Sequence, residues 1–409
     1  MSAKPDEAFR AEPAKRLPGV PREVYLLGAV SFLTDASSEA IFAVLPLFLT
    51  GVLGASAVVL GAMEGLADFA ASSLDMASGV LSDRLGKRKG LVVLGYGLSS
   101  VAKTALLLAG TIGLVIAFRV VERLGKSIRG APRDALLAAA APAASRGASF
   151  GLHKALDKAG AILGPVVAFA VLDHYGSSVG SFRTLFLVAL VPAFAAVAVL
   201  VLFVPERKSA AGKRLALREA VRTLGPGYRH YLVSAGLFSG AYFSYAFLML
   251  AAARVGFEGK HVALLYAGWN ASVALWAVPL GRLGDRVGRR RIVAASYLLY
   301  ALVAVGLALA TSKTAVVLLF GVYGVFLAID EGQTRAYITD LVPETMRATA
   351  IGTYGFVTAI VYLPASLLAG LLWKGFGAPV TFGVAAAVAL VALGYFVAFQ
   401  PREGKAVPP

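Results

Sequence analysis

Apolar runs of about 20 residues or more, the length of a helix that crosses a bilayer, alternate along this chain with short polar connections. They fall near residues 24 to 51, 57 to 81, 90 to 110, 112 to 136, 147 to 172 and 182 to 203, then 229 to 253, 261 to 281, 291 to 311, 314 to 338, 347 to 373 and 378 to 399. Lipid offers backbone amides no water, so continuous runs of this length predict helices, each closing its own hydrogen bonds. The pattern predicts an all-α membrane protein of twelve transmembrane helices.

Pro205 to Tyr228 interrupts the pattern with Arg207, Lys208, Lys213, Arg214, Arg218 and Arg222, and reads as a linker. The expected organisation is an N-terminal tail over 1–23, a six-helix bundle over 24–203, a linker over 204–228, a second six-helix bundle over 229–399 and a tail over 400–409.

The second set repeats the first. Gly79-Val-Leu-Ser-Asp83-Arg84-Leu-Gly86-Lys87-Arg88 follows the second run, and Gly281-Arg-Leu-Gly-Asp285-Arg286-Val-Gly288-Arg289-Arg290 follows the eighth, about two hundred residues later. Pro142, Arg146 and Gly151 recur as Pro343, Arg347 and Gly352 at nearly the same offset. A direct repeat predicts two parallel-repeat six-helix bundles related about the membrane normal, with a substrate site between them near mid-membrane. In each loop motif the glycine permits close helix approach, the aspartate caps or pairs near a helix end, and the basic tail meets the anionic leaflet.

Composition agrees, with 58% hydrophobic and only 15% charged residues. A formal net charge of +16 would suit a nucleic-acid partner, but the basic residues sit on alternate connections. Lys4 to Arg22, Arg84 to Lys89, the linker and Arg286 to Arg291 share one side, which the positive-inside bias makes cytoplasmic, with both termini. Arg183, Arg254, Lys260, Lys313 and Lys374 are mild exceptions on the other side. The polar N-terminus and full-length first run give no sign of a cleavable leader. The absence of cysteine excludes disulfides and thiolate metal sites. No Walker loop is present, and no nucleophile has a positioned base, so neither nucleotide energy nor an enzyme is expected, and no cofactor.

A charge at the bilayer centre costs roughly 2.5 to 3.5 kcal/mol even on insertion scales, so each one asks for a partner or a wet cavity. Asp35 and Glu39 share a face of the first span; Glu64, Asp68 and Asp75 share one of the second. Arg119, Arg123, Lys126 and Arg133 make a basic stripe on the fourth, with Glu122 on the same helix, and Lys103, Lys154 and Lys158 add to it beside Asp157. These residues predict a buried ion-pair network lining the cavity, in which desolvated carboxylates load and unload protons. The C-terminal half offers Asp330, Glu331 and Arg335, Asn270, and the aromatics Tyr242 and Tyr245, which can face an organic cation. Histidines 153, 174, 230 and 261 are scattered, so no metal site is firm; Asp35 and Glu39 are the candidates if the cargo is a divalent cation.

With both loop motifs in hand, residues 24 to 399 resemble the major facilitator superfamily. In that family the loop motif clamps neighbouring helices in one conformational state, a role the resemblance implies for Gly79, Asp83, Arg84, Gly86 and Arg88 and for Gly281, Asp285, Arg286, Gly288 and Arg289. Gly160-Ala-Ile-Leu-Gly164-Pro165 is similar to the antiporter motif of the family's exporters, with Ala168-Phe169 where a glycine pair is usual. Small residues four apart let that helix press on a neighbour, and Pro165 frees a carbonyl so that it can bend. Arg119-Val-Val-Glu122 resembles a motif of proton-linked members, with Arg123 where glycine is expected, and Arg129-Gly-Ala-Pro-Arg133-Asp134 resembles a prokaryotic subgroup of permeases, some linked to metal or drug resistance.

The expected function is secondary active transport by alternating access: proton-coupled efflux of a cationic or amphipathic compound or a metal ion. The alternative is an organic-anion transporter holding a carboxylate or phosphate on the basic face of the fourth helix. Expected partners are the small-molecule or ion substrate, protons as coupling ion and membrane lipids, with no nucleic acid. The chain is expected to act as a monomer in a prokaryotic inner membrane.

Overall fold

The structure, a computed structural model, describes residues 20–85, 88–142, 146–206, 225–343 and 346–400, without the side chains of 75–85, 146–148 and 348–349. Every predicted run is helical. In order they are α1 (Arg22–Phe42), α2 (Leu45–Leu47), α3 (Ala57–Leu85), α4 (Lys89–Thr104), α5 (Ile112–Ala140), α6 (Arg146–Tyr175) and α7 (Val179–Phe203). Then come α8 (Pro226–Ala241), α9 (Tyr245–Arg254), α10 (Gly259–Val287), α11 (Arg289–Leu309), α12 (Lys313–Asp340) and α13 (Arg347–Phe399). No strand occurs among the described residues.

Ten helical stretches among the described residues are long and apolar enough to cross a membrane. The 29-residue α5 is not one of them, because its middle carries Arg119, Glu122, Arg123, Lys126 and Arg129. The 53-residue α13 is one stretch by hydrogen bonding, but it turns sharply at Gly377, whose φ of 77° a side chain would resist.

Two runs that the sequence presents as continuous are broken, and at equivalent points of the repeat. α1 stops at Phe42 because Pro46 has no N–H to return to the Phe42 carbonyl, and Val44 takes a non-helical ψ of −13° at φ −124°. α8 stops at Ala241, Tyr242 is extended, and the Ser244 hydroxyl caps the restart by accepting from Ala246 N–H at 3.2 Å.

The helices up to α7 meet those from α8 mainly along α3 with α13 and α6 with α10. At the first of these, Gly61 and Gly370 let backbones touch: a Cβ on Gly370 would lie 2.6 Å from the Ala57 carbonyl. Exposed large apolar side chains such as Leu108, Val191, Leu275 and Leu309 face outward, as lipid requires.

Candidate functional site

Between the two groups of helices lies a cavity of about 790 Å³. Its walls come from α1, α3, α5 and α6 on one side, and from α9, α10, α12 and the break before α9 on the other. It extends to Arg133, Asp134 and Lys154, on the side of the basic connections. At the other end it is closed. Phe42, Leu45 and Phe48 there share one apolar cluster with Phe243, Phe247 and Met249, and Lys260 of α10 reaches Asp173 of α6 at 2.9 Å.

The charged residues inside the helices are largely mated. Arg119 gives Nε and Nη2 to both Glu64 oxygens at 3.0 and 2.8 Å, a bidentate fork. Its Nη1 lies 3.4 Å from Glu122, and its guanidinium sits 4.1 Å from the centre of the Phe42 ring. One turn along both helices, Arg123 pairs with Asp68 at 2.5 Å. The spacing of four on α3 and on α5 keeps the two pairs in register.

The pairs differ in access. Asp68 and Arg123 line the cavity, whereas Glu64, Arg119 and Glu122 are 1% exposed and stand behind it. Lys103 is also wholly buried and off the cavity, donating to Ser37 Oγ at 2.8 Å. Asp330 lies off the cavity too, accepting from Thr334. Lys126, Arg335 and Glu331 do line it; Glu331 reaches across to Lys158 of α6 at 3.0 Å. Arg133 is held by Asp134 at 2.9 Å, and Arg129 donates to Ser99 at 2.8 Å over the Tyr96 ring.

Asp35 and Glu39 form no ion pair among the described residues. Asp35 of α1 comes within hydrogen-bonding reach of Asp157 of α6, and Asp157 also accepts from Ser31 at 2.6 Å and lies 3.4 Å from Lys154. Glu39 accepts from the Tyr266 hydroxyl of α10, and no ion pair forms at it among the described residues.

The glycine motif of the fifth span explains how Asp35 and Asp157 meet. Gly160 and Gly164 lie against α1 beside Phe32, Ala36 and Ala40, and a Cβ on Gly164 would fall 2.5 Å from the Ala36 carbonyl. Pro165 is buried in the same stretch of α6.

In the loop motifs the two repeats make a like contact from neighbouring positions, Arg88 in the first and Arg289, the counterpart of Lys87, in the second. Arg88 Nη1 donates to the Ala135 carbonyl at 3.1 Å and Arg289 Nη1 to the Ala336 carbonyl at 3.3 Å, both across 47 residues. Arg289 also binds Asp340 at 2.7 Å and Asp285 at 3.2 Å. Gly288 takes φ 96°, open in practice to glycine alone. The expectation for Gly281 needs correction. A Cβ there would stand 3.8 Å from Gln333, an ordinary contact, and the close approach falls on Gly284, packed directly on the Gln333 side chain. Arg286 is exposed. Gly86 lies outside the described residues, as do the side chains of Asp83, Arg84 and Asp75 and the surroundings of Gly79.

Tyr242, Tyr245 and Asn270 line the cavity as the sequence suggests, but Tyr266, Trp269 and Tyr323 complete its aromatic wall and were not legible there. Tyr266, Trp269 and Asn270 do share one helical face, but in a span such a stripe reads equally well as packing. No group of three or more His, Asp or Glu side chains placed to hold a metal occurs among the described residues.

A family model described as Major Facilitator Superfamily matches residues 27–269 and 232–409. An uncharacterised MFS-type transporter of Methanocaldococcus jannaschii is 37% identical over 360 residues, covering 86% of this chain and 89% of that protein. Among solved structures, a POT family transporter in complex with 5-aminolevulinic acid superposes with a TM-score of 0.80 at 14% identity, over 96% of this chain and 99% of that one. A bacterial homologue of the human lysosomal transporter Spinster, inward-facing and occupied, gives 0.76 at 14% identity, over 94% and 97%. At such identities these structures are alike in fold alone.

Proposed function

The chain belongs to the major facilitator superfamily, and from that premise we propose proton-coupled efflux of a cationic or amphipathic compound by alternating access. It is a multi-pass membrane transporter. Our reading has twelve crossings: the ten apolar stretches, α5 with its charges turned inward, and a second crossing after the turn at Gly377. Loops rich in Lys and Arg put both termini, and the cavity's open end, on the cytoplasmic side of an inner membrane. The state is then inward-open, with Lys260 and Asp173 at the outer closure.

One observation carries the reading. In a cavity where Arg123, Arg133, Lys154 and Lys158 already face acidic partners, Glu39 has no cationic partner among the described residues, and the Asp35 carboxyl stands close to that of Asp157. The first can take a cation and the second can take a proton. Competition between them for the same space around α1 gives exchange. The organic-anion alternative keeps only Lys126 and Arg335 as cavity-lining bases without an ion pair or hydrogen bond among the described residues, because Arg119, Arg123 and Arg133 already hold Glu64, Asp68 and Asp134. The metal-ion variant loses support from the lack of a three-ligand group among the described residues.

Flux in liposomes under an imposed pH gradient, with a pH dye inside, tests the proposal. Cation efflux with opposing proton movement is expected, and Asp35→Asn should abolish gradient-driven flux while leaving cargo-for-cargo exchange. Gradient-driven flux that survives in Asp35→Asn, or that ignores collapse of the gradient, overturns it.

A further inference from the structure

We propose that the deep end of the cavity binds a protonated amine carrying at least one N–H, with Glu39 as counter-ion, Asn270 as hydrogen-bond acceptor and an aromatic corner of Tyr266, Trp269 and Tyr323. The proposal deepens the cation reading above by naming the cargo group. It rests on that reading for the sign of the cargo's charge, and not for proton coupling or direction.

Glu39 supplies the charge. Its one hydrogen-bond donor among the described residues is the neutral hydroxyl of Tyr266. This half-buried carboxylate keeps acceptor sites beyond that single neutral donor, so a cation that enters finds an acceptor still short of partners.

Asn270 supplies direction. It is only 7% exposed and lines the cavity one turn after Tyr266 on α10. Its Nδ2 donates to the Tyr266 carbonyl at 3.1 Å, which leaves Oδ1 as an acceptor with no partner among the described residues. An acceptor in that position selects for a hydrogen on the ligand.

The rings supply the walls. Trp269 stands 4.3 Å from Tyr266 and 5.3 Å from Tyr323 between ring centres, and all three line the cavity. Ring faces attract organic cations through their quadrupole. A bare metal ion makes no use of them and would need several oxygen ligands. An anion would meet Glu39. A quaternary ammonium fits the rings but has no hydrogen for Asn270. Only an N–H-bearing ammonium satisfies all three features.

Equilibrium binding to the full chain in nanodiscs, without any gradient, tests this with three probes of similar size: protonated N,N-dimethylphenethylamine, its N-methyl quaternary derivative and 3-phenylpropionate. The amine should bind more tightly than the other two. Asn270→Ala should weaken the amine about tenfold, the order expected for one hydrogen bond to a charged group, while the quaternary ion stays within about twofold. Asn270→Asp, which keeps an acceptor, should retain the amine's preference. Trp269→Leu should weaken both cations, and Trp269→Phe should largely restore them. The proposal is overturned if Asn270→Ala weakens both cations alike, if the carboxylate binds as well as the amine, or if neither cation binds. Amine binding without proton-driven flux would sink the coupling scheme and leave this site standing.

Discussion

The Tyr266 hydroxyl of α10 donates to the Glu39 carboxylate of α1, joining the two groups of helices across the deep end of the cavity. A cation that takes Glu39 shares the carboxylate with that donor and weakens its hold, so occupancy and closure of the far end are linked. This contact should therefore weigh on the balance between states.

Tyr266→Phe removes the donor and keeps the ring. A hydrogen bond to a charged group contributes about 1.5 to 3 kcal/mol, so the variant should shift the population towards opening at the end now closed. The chain has no cysteine, and Leu49 is fully buried in that closure. A single Leu49→Cys reporter should label faster with a membrane-impermeant maleimide when Tyr266→Phe is added. Equal labelling rates would refute the link.

The Arg119–Glu64 pair should behave as a buried unit. Removing one member leaves an uncompensated charge, so Arg119→Met or Glu64→Gln should each cost about 3 to 5 kcal/mol of stability. Arg119→Met with Glu64→Met should recover part of the loss seen in Arg119→Met, because the double change strands Glu122 alone where Arg119→Met strands both Glu64 and Glu122. Thermal unfolding in detergent provides the readout. A double variant less stable than Arg119→Met alone would show that the charges themselves are required.

Packing at α1 and α6 gives a sharper contrast. Gly164→Ala puts a methyl group against the Ala36 carbonyl and should lower stability by about 1 to 3 kcal/mol. Gly113→Ala, in α5 with nothing within 4 Å of the added carbon, should be neutral or stabilising by about 0.5 to 1 kcal/mol. Comparing melting curves and proton-driven flux in both checks that the close approach, not glycine as such, is what α6 needs.

At the turn between α10 and α11, Gly288→Ala forces a side chain into φ 96°. A cost of about 1 to 3 kcal/mol is expected, with loss of the Arg289 contacts to Asp340 and Asp285. Gly281→Ala should be nearly silent. Flux measured at matched expression separates the two, and an inactive Gly281→Ala beside an active Gly288→Ala would reverse their assigned roles.

Much of this architecture was written in the residues one after another. Run length declares a membrane helix because the bilayer has one thickness, and the recurrence of Asp83-Arg84 as Asp285-Arg286 declares a repeat. The spacing of Glu64 with Asp68 and of Arg119 with Arg123 announces two stripes that must meet opposite charge, and they meet each other.

What remained hidden depends on how far each helix is rotated about its own axis. Spacing groups Asp35 with Glu39 and Arg119 with Arg123, but it cannot say that Asp35 turns to Asp157, that Glu39 turns to Tyr266, or that Arg119 retreats behind the wall while Arg123 lines it. Packing set those angles, through close approaches such as Gly164 on Ala36 that depend on the partner helix. For the same reason Gly284, not Gly281, is the tight contact, and an apolar stripe holding Tyr266 and Trp269 became the wall of a cavity only when α10 stood opposite α1. The chain alone determined that it is built of helices that enter lipid and which charges must find company there; tertiary structure decided which company each one found, because side-chain pairing is settled across helices and periodicity is a property of one.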